Sequence, residues 1–184
     1  MAVVHPEAVL TPSKLELVAT WLPTQAWFAG TLDDLVLAAR FRFVDPDGQV
    51  GIETLLIDSG GVTYQVPLTY RDAPLAEAGE ALIGTMGHSL LGTRWVYDAP
   101  ADPVYDAEVK RVIEAGDTEA DLSAGQKTAY ANGSGLPAGT NLSAIHVVRV
   151  LDGHHVPAEP AVGTLTARWT YGGADRSETV VTAY

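Results

Sequence analysis

Phosphate chemistry would have to begin at a lysine, and this chain has three: Lys14, Lys110 and Lys127. A phosphate loop needs Gly-x-x-x-x-Gly-Lys-Ser/Thr, so that backbone amides cradle the phosphates and the lysine reaches the outer ones. Gly125-Gln126-Lys127-Thr128 ends correctly, but Gln126 stands where the second glycine is required and Asp121 where the first would be. A kinase-like site needs a strand lysine, a catalytic-loop aspartate with a downstream asparagine, and a metal-binding aspartate. Here the lysines fall in a first helical turn, on an acidic helix and in a long loop. Asn132-Gly133-Ser134-Gly135 sets a serine between glycines, but no helical pattern follows to make a nucleophile elbow. His154-His155, with Asp152 and His146 nearby, hold metal-ligand side chains. Adjacent strand residues point to opposite faces, so the pair alone chelates poorly, although a hairpin could bring His146 to one of them.

The carboxylates are more numerous. Asp98, Asp102, Asp106, Glu108, Glu114, Asp117, Glu119 and Asp121 face only Lys110 and Arg111, which puts half of the net charge of −12 in one segment. Glycoside cleavage needs two carboxyls about 5 to 9 Å apart beside aromatic rings. Trp95, Tyr97, Asp98 and Asp102 supply the residue types, but Asp102 before Pro103 reads as a helix cap and a run of acids as a solvated face. Trp21, Trp27, Phe28, Tyr64 and Tyr70 are of the kind that stack on sugars, yet their spacing assigns most of them to a core.

Positioning these groups takes a folded domain, and 184 residues at 47% hydrophobic and 18% charged can build one. Eleven basic against 23 acidic residues argues against a phosphate-backbone partner. The absence of cysteine removes disulfides, thiolate nucleophiles and Cys-ligated metals, and fits a reducing compartment. The N-terminal residues have neither the basic start nor the apolar run of a secretory leader, and no run approaches the ~18 residues of a membrane span. The expectation is a cytoplasmic protein with no membrane or nucleic-acid partner.

Periodicity orders the elements. Thr11-Pro12 is a cap followed by proline, opening a helix through Leu15, Val18, Trp21 and Leu22. Alternation predicts strands over 35–43, 50–58 and 62–70, separated by Asp45-Pro46-Asp47-Gly48 and Ser59-Gly60-Gly61. Pro67 cannot donate to a ladder, so the third strand is expected at an edge or broken there. A short helix over 77–82, a glycine-punctuated stretch, a strand over 93–98 and a helix from Pro103 to Gly116 follow. Residues 117–141 show no period and read as a long loop, after which strands over 144–151, 163–171 and 176–183 close the chain. Grouped strands favour an α+β fold: a curved antiparallel β-sheet flanked by helices, with a C-terminal group of antiparallel strands.

Leu22-Pro23-Thr24-Gln25-Ala26-Trp27-Phe28-Ala29-Gly30 resembles the opening of the N-terminal cap domain of actinobacterial maltokinases. Tyr64-Gln65-Val66-Pro67-Leu68-Thr69-Tyr70-Arg71, Leu82-Ile83-Gly84-Thr85, Trp95-Val96-Tyr97-Asp98-Ala99 and Asp102-Pro103-Val104 continue that resemblance in order, over about residues 10 to 115. The strands over 144–151 and 163–171 are more loosely similar to the sheet that follows the cap. Maltokinase transfers the γ-phosphate of ATP to maltose and feeds α-glucan synthesis, and its cap precedes a kinase-like lobe. The family's catalytic residues have no counterparts here, so none is carried over.

The resemblance implies a cap-like region over 1–115, a linker over 116–142 and C-terminal strands over 143–184. It implies a non-catalytic accessory or regulatory binding module of α-glucan and trehalose–maltose metabolism, without cofactor or metal. The partners it implies are a sugar kinase, another protein of that metabolism, a glucan or maltose. Clustered aromatic and arginine side chains suit interfaces, so Tyr70, Arg71, His88, Arg94, Trp95, Tyr97 and Asp98 form the candidate interaction surface. Two further readings remain open: a weak glycan-active enzyme using Asp98 and a second carboxylate, and a cap acting in trans on a separate sugar kinase.

Overall fold

The computed structural model describes residues 1–157 and 159–184. In chain order its elements are β1 (Leu10–Thr11), α1 (Lys14–Trp21), β2 (Val36–Val44), β3 (Gly51–Ser59), β4 (Val62–Arg71), β5 (Leu82–His88), β6 (Gly92–Asp98), α2 (Pro103–Ala115), β7 (Ala129–Gly133), β8 (Ile145–Val147), β9 (Val150–Leu151), β10 (Gly163–Tyr171) and β11 (Ala174–Ala183), with 3-10 turns at Leu22–Thr24, Gly79–Ala81 and Ala99–Ala101. The fold is α+β, as the grouping of strands predicted. A first sheet runs β1-β5-β6-β4-β3-β2 with β9 also on β4, and a second runs β7-β10-β11-β8.

Both faces of the first sheet are covered, which is why β3 is buried along most of its length. On one face Leu17, Val18 and Leu22 pack on Leu55, Ile57, Val66, Leu68, Met86 and Val96. On the other, Phe41, Phe43, Ile52 and Leu56 join Tyr105, Val109, Val112 and Ile113 of α2, together with Leu165, Trp169 and Val181 of the second sheet, in one core. Each such side chain stabilises the fold by about 1.5–3 kcal/mol through its removal from water.

Helix α1 starts two residues later than Thr11-Pro12 suggested. Ser13 is the N-cap, because Glu16 three residues on returns a bond to its backbone and completes a capping box, while three residues after Thr11 there is only Lys14. Asp102 caps α2 as expected, its carboxylate accepting from the Val104 N–H at 3.0 Å, and Gly116 closes the helix in the left-handed conformation. Gly60 and Gly61, at φ +62° and +87°, make the two-residue turn between β3 and β4.

The stretch over 77–88 departs from the expected helix. Only Gly79–Ala81 turns, and Leu82–His88 pairs with β6 through a bulge at Leu82/Gly84. Within the expected long loop, Ala129–Gly133 forms β7, whose buried face is made of Ala129, Ala131 and Gly133. A Cβ at Gly133 would lie 2.0 Å from the Val112 carbonyl oxygen of α2, so only glycine permits that approach. The expected strand over 144–151 divides in two. β8 pairs with β11 of the second sheet and β9 with β4 of the first, so the chain crosses between sheets at Val148-Arg149. Gln65 fills this crossing. Its side-chain amide donates to the carbonyls of Val148 (3.1 Å) and Val180 (2.7 Å), and its own N–H donates to the Arg149 carbonyl. Two residues on, Pro67 occupies the gap in which the neighbour of β4 changes from β9 to β6. β4 is therefore an inner strand, with its ladder broken on one side at the residue that has no N–H to give.

No helix is long and apolar enough to cross a membrane among the described residues.

Candidate functional site

The C-terminal end of α1 and the end of β6 enclose a cleft of about 390 Å³. Trp21, Gln25, Glu77, Ala78, Glu80, Ala81, Asp98 and Ala101 line it. Gln25 is brought there by the 3-10 turn at Leu22–Thr24, which Pro23 starts. Glu77 is the one described non-glycine residue at positive φ, +63°, and it turns the chain from β4 back toward the sheet.

Beneath the cleft lies a series of stacked and paired groups. Arg149 Nη2 donates to Asp98 Oδ2 at 2.6 Å, and the guanidinium lies over the Trp27 ring with 5.2 Å to the centroid. Trp27 meets Trp21 edge-on at 5.7 Å and Tyr64 at 6.2 Å. Burial pushes the Asp98 carboxyl above its ordinary value, with Arg149 opposing the shift. Asp98 Oδ1 and Arg149 Nη1 have no partner among the described residues, although both atoms are shielded from solvent. An indole, an amide and three carboxylates are side chains suited to a polyhydroxylated ligand: the ring can cover an apolar face and the carboxylates accept hydroxyl protons.

Strand alternation divides the seven residues singled out from the sequence. Tyr70, His88, Arg94 and Asp98 share the α1 side of the first sheet, while Arg71, Trp95 and Tyr97 share the α2 side. Tyr70 donates its hydroxyl to the buried Glu53 at 2.9 Å. Arg71 forks both Asp102 oxygens at 2.7 Å, so that one carboxylate caps α2 and ties it to β4. Burial opposes ionisation of Asp102, but the Arg71 bonds and the Val104 N–H outweigh it and hold the carboxyl below its usual range. Tyr97 is buried and accepts from the Leu75 N–H at 2.8 Å. The His88 ring meets His5 edge-on at 5.6 Å, and Arg94 donates to the Leu91 carbonyl at 2.7 Å. Trp95 stands opposite Arg71, half-buried. Only Asp98 of the seven lines the cleft. Gln25, Glu77, Glu80 and Arg149 were missed, and Trp21, one of the rings of the kind that stack on sugars, had been grouped with residues assigned mostly to the core. The spacing of Trp21 within a helix signals only packing, and nothing local announces that Arg149 meets Asp98 across 51 residues.

The other motifs find structural work. Lys127 pairs with Glu119 (2.8 Å) and Asp121 (2.7 Å), and Thr128 Oγ1 accepts from the Arg40 N–H on the edge strand β2. Ser134 exchanges bonds with Thr164 and extends the β7–β10 ladder. His146 and His155 stack at 6.0 Å, so the chain does bring one member of the histidine pair to His146.

Compared with known families, residues 21–102 match the model of the maltokinase N-terminal cap domain. Every residue that lines the cleft falls inside that span, while α2 and β7–β11 follow it.

Proposed function

We propose, from the likeness of residues 21–102 to the maltokinase N-terminal cap domain, that this chain is a cap-like binding module of α-glucan and trehalose–maltose metabolism that acts without making or breaking bonds. Its ligand is a glucan or maltose, held in the cleft between Trp21 and Asp98. The observation that carries this reading is the coincidence of cleft and match: Trp21 is the first matched residue, and the other lining residues all precede Asp102, the last. At about 390 Å³ the cleft has the size of a small-molecule site and an indole on its wall. The residues after 102 support a module over a kinase, since α2 and the second sheet return to the cap sheet and share its core. A cysteine-free chain handling maltose fits the cytoplasm.

Calorimetry with maltose and longer maltooligosaccharides tests the reading. The expected result is saturable binding that Glu80→Gln and Gln25→Ala weaken at least fivefold while leaving the thermal midpoint within about 2 °C. Absence of heat with every oligosaccharide would overturn it.

Asp98 favours a second reading, a weak glycan-active enzyme, because burial raises its carboxyl toward acid function in a cleft with two further carboxylates. Its pairing with Arg149 weighs the other way, since the cation favours the ionised carboxylate, which has no proton to donate. Unchanged turnover of Asp98→Asn on maltooligosaccharides would eliminate this reading. Unchanged kinetics of a separate maltose kinase on addition of the chain would likewise eliminate a cap acting in trans.

A further inference from the structure

The other end of α1, about 10 Å along the helix axis from Trp21, carries a concentration of positive charge that the net charge of −12 hides. Glu53 is fully buried in the first sheet, and three cations converge on it. Lys14 Nζ donates to Oε2, Arg42 Nε donates to Oε1 at 3.2 Å, and Arg40 Nη1 approaches the same Oε1 at 3.5 Å. Three positive charges against one negative leave a local excess of two. Glu16, the nearby carboxylate on α1, is turned into the capping box with Ser13.

The donors are not used up. Arg40 is 40% exposed and only loosely held; among the described residues Arg42 directs Nη1 to the Val3 carbonyl at 3.4 Å with no partner for Nη2, and Lys14 uses one of its three N–H groups. Arg40 and Arg42 stand two residues apart on β2, and both direct a guanidinium nitrogen at the same oxygen of Glu53. Buried Glu53 holds the cations in place, and the Tyr70 hydroxyl fixes its second oxygen at 2.9 Å. Crowding also shows in Lys14, whose ammonium is lowered by burial against the pull of Glu53, with Arg42 and Arg40 adding to the lowering.

We propose that Lys14, Arg40 and Arg42 form an oxyanion-binding site that takes a phosphate or carboxylate group of a small ligand. Guanidinium pairs suit such groups because their forked N–H donors match two oxygens at once. The proposal does not rest on the cleft, and either can fail alone.

Calorimetry of the full chain at fixed ionic strength, with inorganic phosphate and with acetate as probes and chloride as the balancing salt, tests it. The expected result is saturable binding of at least one probe, weakened fivefold or more by Arg40→Gln and changed less than twofold by Arg168→Gln, which removes an exposed charge on β10. Binding of phosphate alone assigns the ligand as a phosphate ester, and binding of acetate as a carboxylate. No saturable heat with either probe, or equal weakening by the two substitutions, would overturn the proposal.

Discussion

Arg149 and Asp98 meet at 2.6 Å across 51 residues of chain, and each leaves a shielded polar atom, Nη1 and Oδ1, with no partner among the described residues. The crossing between β8 and β9 delivers Arg149, and the end of β6 delivers Asp98, so the one lining residue of the pair is held by a residue from the crossing.

Arg149→Met removes one partner and leaves Asp98 shielded without its cation. Breaking a fully buried pair costs about 3–5 kcal/mol, and this one, with both side chains slightly accessible, should cost somewhat less, about 2–3 kcal/mol. Urea unfolding measures the loss. Adding Asp98→Asn to Arg149→Met should recover part of it, because the uncompensated charge is then gone.

Glu53 sets an acid limit on stability. Burial alone would raise its carboxyl, but Lys14 and Arg42, then the Lys14 hydrogen bond and Arg40, hold it at about 2 against 4.5 for a free glutamate. A depressed folded value means the contribution is complete above pH 4.5 and disappears as pH falls toward 2, a loss on the order of 3 kcal/mol. Glu53→Gln should flatten stability against pH across that window, read as urea midpoints at successive pH values. An unflattened profile would assign the acid limb to other carboxylates.

Gln65→Leu withdraws two side-chain bonds at the point where the sheets diverge. The Val180 carbonyl keeps the Val148 N–H, whereas the Val148 carbonyl loses its side-chain donor, at a cost of about 1–3 kcal/mol for a buried group left unsatisfied. Hydrogen exchange should speed up first at β8 and β9.

Asp102→Ala should cost more than a simple cap. Losing the cap alone costs about 1 kcal/mol, and Arg71 also loses both of its forked bonds. Asp102→Asn keeps a capping oxygen and should fall midway between the two in denaturant midpoint.

Alternation and bounding turns made β2, β3, β4, β6, β10 and β11 legible to within a residue or two, because large apolar side chains recur along each, in β3 on both faces. β7 escaped because its buried face is alanine and glycine, whose small side chains show no period. β5 escaped because glycines and a bulge interrupt it. The family likeness was legible because its motifs are local and ordered. Of the site, Asp98 was legible and Trp21 only by its ring type: the cleft is made where segments distant in sequence meet, and Trp21 carries the same helical spacing whether it faces a core or an opening.

One consequence follows from the face that Phe41, Phe43, Ile52 and Leu56 present to α2 and the second sheet. The family match ends at residue 102, but the core on this face runs on into α2 and the second sheet. A polypeptide cut there would turn two phenylalanines and two branched aliphatics out to water, and should be recovered as aggregate, whereas the intact chain stays monodisperse.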